Sequence, residues 1–94
     1  MSVDTLAIAH LPERGRFQVL VDGHLCVADY RLDGERMLMT HTEVHPALQG
    51  RGVAAQLVRA ALDHARARGL TVVPLCSYVR AYLRRHPEHR DLVA

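Results

Sequence analysis

Up to Val44 the apolar side chains tend to recur at every second position; beyond Pro46 they recur at every third or fourth. Leu6, Ile8 and His10 alternate with Ala7 and Ala9, a faint strand signal. Phe17, Val19 and Val21 alternate with Gln18, Leu20 and Asp22, a clearer one, because successive residues of a strand face opposite sides of a sheet. Asp22-Gly23 lies between two apolar runs. That dipeptide suits a two-residue hairpin turn, whose central residues both take positive φ. Leu25 to Arg31 then reads as the return strand. Asp33-Gly34 repeats the turn signal, and Arg36 to Val44 makes the next strand. The pattern predicts an antiparallel meander.

After Pro46 the period changes. The apolar positions from Val53 onward are 53, 54, 57, 58, 61, 62 and 65, with Gln56, Arg59, Asp63 and Arg66 on the other side. This is an amphipathic helix of about four turns. Arg66 and Arg68 suit the negative end of its dipole, and Gly69 supplies a left-handed stop. Leu70 to Leu75 is a short apolar run that reads as a buried strand, with Pro74 near its end or at a bulge. Ser77 is the expected N-cap of a second helix that runs to about Arg85 and is ended by His86-Pro87. Glu88 to Ala94 reads as a loose tail. The order β-β-β-β-α-β-α predicts an α+β fold, two helices packed on a mostly antiparallel sheet, as one domain over residues 1–94.

Composition narrows the function classes. The 94 residues are 49% hydrophobic and 23% charged, an ordinary globular balance with one modest core. No apolar run reaches the ~20 residues that span a bilayer. The segment from Met1 to His10 carries Asp4 and no basic start, so it is not expected to be a signal peptide, and a cytoplasmic location is expected. A net charge of +2 is too mild to argue for nucleic acid by itself, and no nucleic-acid partner is expected. All twelve basic residues are arginine, which reads first as a compositional bias. Cys26 and Cys76 are too few for a disulfide framework and are expected to be free thiols. The seven histidines show no His-x-x-x-His pair on one element, and no metal is expected.

The most informative segment is Gln49-Gly50-Arg51-Gly52-Val53-Ala54, between the last meander strand and the long helix. Two glycines at a helix start let the backbone approach a ligand closely. The first helical N–H groups have no partner inside the helix, and the dipole adds about half a positive charge there, so the end is suited to an anion. Arg51 can add a charge-assisted contact. A third glycine and a Gly-Lys-Ser/Thr are both missing, so this is neither a dinucleotide fingerprint nor a Walker loop. Read alone, the glycines are equally compatible with a simple strand-to-helix turn.

Gln49-x-x-Gly52-x-Ala54, preceded by Val44-x-Pro46, resembles the Gln/Arg-x-x-Gly-x-Gly/Ala loop of the GCN5-related N-acetyltransferases. His41-Thr42-Glu43-Val44, Pro74-Leu75-Cys76-Ser77-Tyr78 and Arg85-His86-Pro87 are similar to a subgroup of very small GCN5-like domains. The likeness runs from about Arg16 to Pro87. It implies acetyl-coenzyme A as cosubstrate. It places the coenzyme A pyrophosphate on the loop amides and helix start, with Val44, Gln49, Gly50, Arg51, Gly52, Val53 and Ala54 as binding residues. It also implies that the strand ending at Val44 and the strand Leu70 to Leu75 are parallel neighbours that splay apart to admit the pantetheine arm. The helices that larger relatives insert after the first strand, and use for the acceptor, are missing.

Acetyl transfer needs a neutral amine and a stabilised thiolate leaving group. Cys76 follows the apolar strand at a helix start, a position that lowers a thiol pKa, so it is a candidate for covalent acetyl transfer or for proton transfer. The competing reading is a small core residue, which is also the reading for Cys26. Histidine as a residue type ionises near neutrality, so His41 can take the amine proton. Glu43, two residues on and on the same strand face, can take that role or orient His41. Tyr82 reads as a packing residue, and Arg80 and Arg84 as a solvated face. The expected function is N-acetylation of a small-molecule or peptide amine by a monomer or weak homodimer, with no membrane partner. The alternatives are a non-catalytic coenzyme A or acyl-CoA binding module, or an interaction domain without a ligand.

Overall fold

The computed structural model describes residues 6–94. Strands β1 (Ala9–Leu11), β2 (Arg16–Val21), β3 (His24–Asp33) and β4 (Arg36–Glu43) form the antiparallel meander. Asp22 and Gly23 join β2 to β3 with φ of 51° and 80°, both positive as a tight two-residue hairpin turn requires. The β3–β4 turn centres one residue later than expected, on Gly34 and Glu35, because Asp33 still pairs with Arg36. Helix α1 (Val53–Arg68) crosses over to β5 (Thr71–Pro74), which pairs with β4 in parallel, and α2 (Ser77–Arg85) follows. The sheet order β1-β2-β3-β4-β5 has one parallel pair at its edge, the expected α+β arrangement.

Periodicity decides which side chains are buried. On one face of the sheet lie Phe17, Val19 and Val21 of β2, Cys26, Ala28 and Tyr30 of β3, Met37 and Met39 of β4 and Val72 of β5, all buried. Leu57, Val58, Ala61, Leu62 and Ala65 of α1 and Val79 and Tyr82 of α2 complete this core. Burying each large aliphatic side chain contributes about 1.5–3 kcal/mol, more than any difference in helix propensity along α1. Gly69 ends α1 with φ 67°, and its N–H bonds to Ala65 and Arg66 carbonyls, as a left-handed cap should.

The other sheet face carries Gln18, Leu20, Leu25, Val27, Asp29, His41 and Glu43, as the β2–β3 and β3–β4 registers require. Among the described residues no helix packs there. Leu20 and Leu25, cross-strand partners, remain 67% and 49% exposed. A one-sided sheet is what is left when the core is built from two helices on a single face.

Three local expectations are corrected. The first strand starts later than Leu6: Leu6 and Ile8 pack on the core instead, and the Leu6 N–H donates to Gln56 Oε1 at 2.9 Å. The N-cap of α2 is Cys76, with Ser77 as the first helical residue. The tail is ordered: Pro87–Leu92 forms a 3-10 helix with Leu92 and His89 buried. Val93 bridges Val72, and Asp91 pairs with Arg66 at 2.8 Å. The tail looks loose in sequence because its few apolar residues show no period; the open edge of β5 at Val72 and the Tyr82 ring, 6.0 Å from the His89 ring, give it a place to dock.

Candidate functional site

The chain between β4 and α1 begins with a 3-10 turn, Pro46–Leu48, capped by His45, whose Nδ1 accepts from the Ala47 N–H at 3.0 Å. Leu48 is buried and anchors the turn to the core. Gly50 and Gly52 follow with φ of 83° and 78°, a region where L side chains are strained. Among the described residues, nothing lies within 4 Å of where a Cβ would stand on either glycine. The glycines therefore do not relieve a clash within the protein; they keep the backbone bare on an open side. Gly52 is the N-cap of α1 and no side chain caps this end. The first helical bond runs from the Gln56 N–H to the Gly52 carbonyl at 3.1 Å, so the amides just before Gln56 are offered outward.

They are offered to a cleft of about 660 Å³, lined by Thr42, Glu43 and Val44, by the loop residues Gln49, Gly50 and Gly52, by Val53 and Ala54 of α1, and by Tyr78 and Arg85 of α2. Of the residues expected to bind coenzyme A, Val44, Gln49, Gly50, Gly52, Val53 and Ala54 line this cleft. The Arg51 side chain is directed elsewhere: it bonds Asp22 at 2.7 Å, which holds the Asp22 carboxyl below its ordinary pKa. With His24 stacked on His45 at 3.7 Å, this ties the β2–β3 hairpin tip to the loop from outside.

Tyr78 and Arg85 do not stand out as site residues in the sequence. They are seven apart and share one face of α2, a spacing readable in sequence once the helix is known to lie beside the loop. Arg85 has no carboxylate partner among the described residues. Burial raises the Tyr78 pKa, against a lowering by Arg85. Arg80 faces the other way and donates to the Pro74 and Leu75 carbonyls, closing the end of β5.

The parallel strands diverge at Met39. Their last register pair is Met39 with Pro74. The N–H groups of Leu75 and Cys76 then both bond to the Met39 carbonyl at 3.0 Å, and the chain turns into α2. Among the described residues, the β4 edge from Thr40 to Glu43 has no strand beside it on that side. A β-bulge opposite Asp29 and Tyr30 re-aims this segment.

Cys76 sits at the divergence, with its Sγ 3.6 Å from Thr42 Oγ1. Partial burial raises its thiol pKa, but the backbone amides of Val79 and Tyr78 and the Thr42 hydroxyl stabilise the thiolate, and the net direction is downward. Cys26 is fully buried in the core. His41 Nε2 lies 3.1 Å from Glu43 Oε1, and both side chains are open to solvent. Thr42 pairs with Ala28 on the helix-covered face, whereas His41 and Glu43 pair with Asp29 and Val27 on the open face. The strand thus separates Cys76 from the His41–Glu43 pair. Among the described residues no group of three or more His, Cys, Asp or Glu side chains is placed to hold a metal ion, and no helix is long and apolar enough to cross a membrane.

A one-sided mixed sheet, a parallel pair diverging at a bulge, and a glycine loop feeding an uncapped helix define an acyltransferase type of architecture. Residues 16–92 match the GCN5-related N-acetyl-transferase family, and the chain belongs to it. It is 33% identical to Protein NATD1 of Mus musculus over 85 residues, which cover 87% of this chain and 77% of that one. Protein NATD1 of Homo sapiens is likewise 33% identical, over 87% of this chain and 75% of its own. The solution structure of a GCN5-like protein from Staphylococcus aureus superposes with a TM-score of 0.77 at 27% identity, over 96% of this chain and 89% of that one. The chain is accordingly assigned to the N-acetyltransferases.

Proposed function

We propose that residues 1–94 act as one minimal domain that transfers acetyl from acetyl-coenzyme A to an amine, with the coenzyme A pyrophosphate held by the Gln49–Ala54 loop and the start of α1. The observation that carries this reading is the coincidence of two openings. The bare amides from Gly52 to Ala55 and the β4 edge beyond Met39, unpartnered among the described residues, face one continuous cleft. The first suits a pyrophosphate. The second suits an extended, amide-bearing arm that pairs as an added strand would. Arg85, with no ion partner among the described residues, supplies the cation beside the phosphates, and Arg51 braces the loop through Asp22.

The opposed faces of β4 divide the chemistry. On the open face His41, oriented by Glu43, takes the proton of the attacking amine. As the C–N bond forms and the C–S bond breaks, the electron pair passes to the coenzyme sulfur. Cys76, with its lowered pKa, lies on the cleft side of β4 to return a proton there.

Calorimetric titration with coenzyme A, followed by thiol release from acetyl-coenzyme A in the presence of an amine panel, tests the reading. Saturable binding and amine-dependent thiol release are expected. Binding without any amine-dependent release would favour the non-catalytic module, and absence of saturable binding would remove the proposal.

A further inference from the structure

On the open sheet face a second groove, of about 420 Å³, is lined by Arg14, Arg16, Asp29, Tyr30, Arg31 and Thr40. Its charge is unbalanced. Arg16 is committed: its Nε donates to Asp29 Oδ1 at 2.7 Å and its Nη2 to Oδ2 at 3.3 Å. That pair uses the groove's one carboxylate. Arg14 and Arg31 are exposed and have no ion partner among the described residues. Two free guanidinium groups therefore flank a neutralised pair.

The groove adjoins the proposed base. Thr40 is the chain neighbour of His41, and Asp29 is its register partner. The β3–β4 register puts Asp29, His41 and Glu43 on that one face. One strand spacing sideways and two residues along place the Arg31 and His41 Cα atoms about 8 Å apart. A small molecule can bridge that span when its amine and its anionic group are a few bonds apart.

Resting on the acetyltransferase reading above, we propose that this groove selects the acceptor: a small amine that also carries a carboxylate or a phosphonate-like acidic group, its anion held by Arg31 and Arg14 and its amine presented to His41. Arginine forks suit either anion, since each guanidinium offers paired donors. The missing acceptor helices then matter less, because the sheet face itself supplies the recognition.

The test uses β-alanine, 2-aminoethylphosphonate and the neutral β-alaninamide as probes, read by amide chemical shifts and by thiol release from acetyl-coenzyme A. Expected are saturable shifts at Arg31, Thr40 and His41 with at least one of the two acidic amines, and a KM at least tenfold lower for that amine than for β-alaninamide. Whichever acid responds identifies the preferred anion. Arg31→Gln with Arg14→Gln should raise the KM for the acidic amine at least tenfold and leave that for β-alaninamide unchanged. Equal use of acidic and neutral amines, no shifts in the groove, or a double variant that weakens both amines alike would overturn the proposal. Its failure is distinct from failure of the underlying reading, which shows separately as coenzyme A leaving the Gly50–Ala55 amides unshifted.

Discussion

Replacing Gly52 by alanine separates the two roles of the loop, conformation and ligand approach. Gly52 sits at φ 78° with open space around a would-be Cβ, so alanine meets no clash, only the left-handed penalty of about 1–2 kcal/mol. Reduced freedom in the unfolded chain returns about 0.4–1 kcal/mol of this. The net loss of about 1 kcal/mol corresponds to about 4–8 °C in Tm for a domain of this size. The methyl group would also project from the backbone that faces the phosphates. Losing one charge-assisted hydrogen bond there costs about 1.5–3 kcal/mol, or roughly ten- to a hundredfold in Kd. Gly69→Ala is the matched control: it caps the other end of α1 at φ 67°, with equally open space. Thermal unfolding should show similar losses for both variants. Calorimetry with coenzyme A, well below either Tm, should show weakened binding for Gly52→Ala alone. Equal affinity in Gly52→Ala, Gly69→Ala and the unaltered chain would refute the phosphate role of the loop.

Two further outcomes are expected. Alkylation of Cys76 by iodoacetamide should titrate below an ordinary thiol, and Thr42→Val should move that midpoint upward; a midpoint matching a free cysteine peptide would contradict the stabilised thiolate. Buried Cys26 should stay unmodified while the protein is folded. Stability should fall as pH drops from 7.5 to 5. Burial lowers the pKa values of His10 and His64, with His64 adding to the effect on His10 and Arg68 to both. The unfolded chain therefore takes up protons first, below about pH 6.5, and its share grows with acid. Asp22 and Asp91, held low by Arg51 and Arg66, begin to matter only below about pH 4. His64→Phe should flatten the slope of urea midpoint against pH, and a flat profile in the unaltered chain would rule the histidine pair out.

Much of the fold is legible in the order of residues because local chemistry and long-range packing agree. The alternation of β2 and the i, i+3, i+4 stripe of α1 are the faces that become buried. Asp22-Gly23 and Gly69 adopt the positive φ that their composition allows. Cys76, His41, Glu43 and the Gln49–Ala54 segment could be picked out as chemically able, since helix starts and strand edges lend the same properties in any fold.

What the residue order left open depended on which surfaces meet. Arg51 reads as the loop's cation, yet Asp22, distant in sequence, takes its guanidinium, and Arg85 from α2 lines the cleft instead. The tail docks because the edge of β5 pairs with Val93 at Val72 and Arg66 pairs with Asp91. Strand pairing assigns His41 and Cys76 to opposite faces of β4, and a two-residue spacing cannot show which face the helices will cover. The glycine loop and its helix were fixed by local backbone freedom and apolar period. The opening that makes them a site, and the bare sheet face beside it, arose only when β4 and β5 parted at Met39, because a cleft is a relation between elements and no single segment contains it.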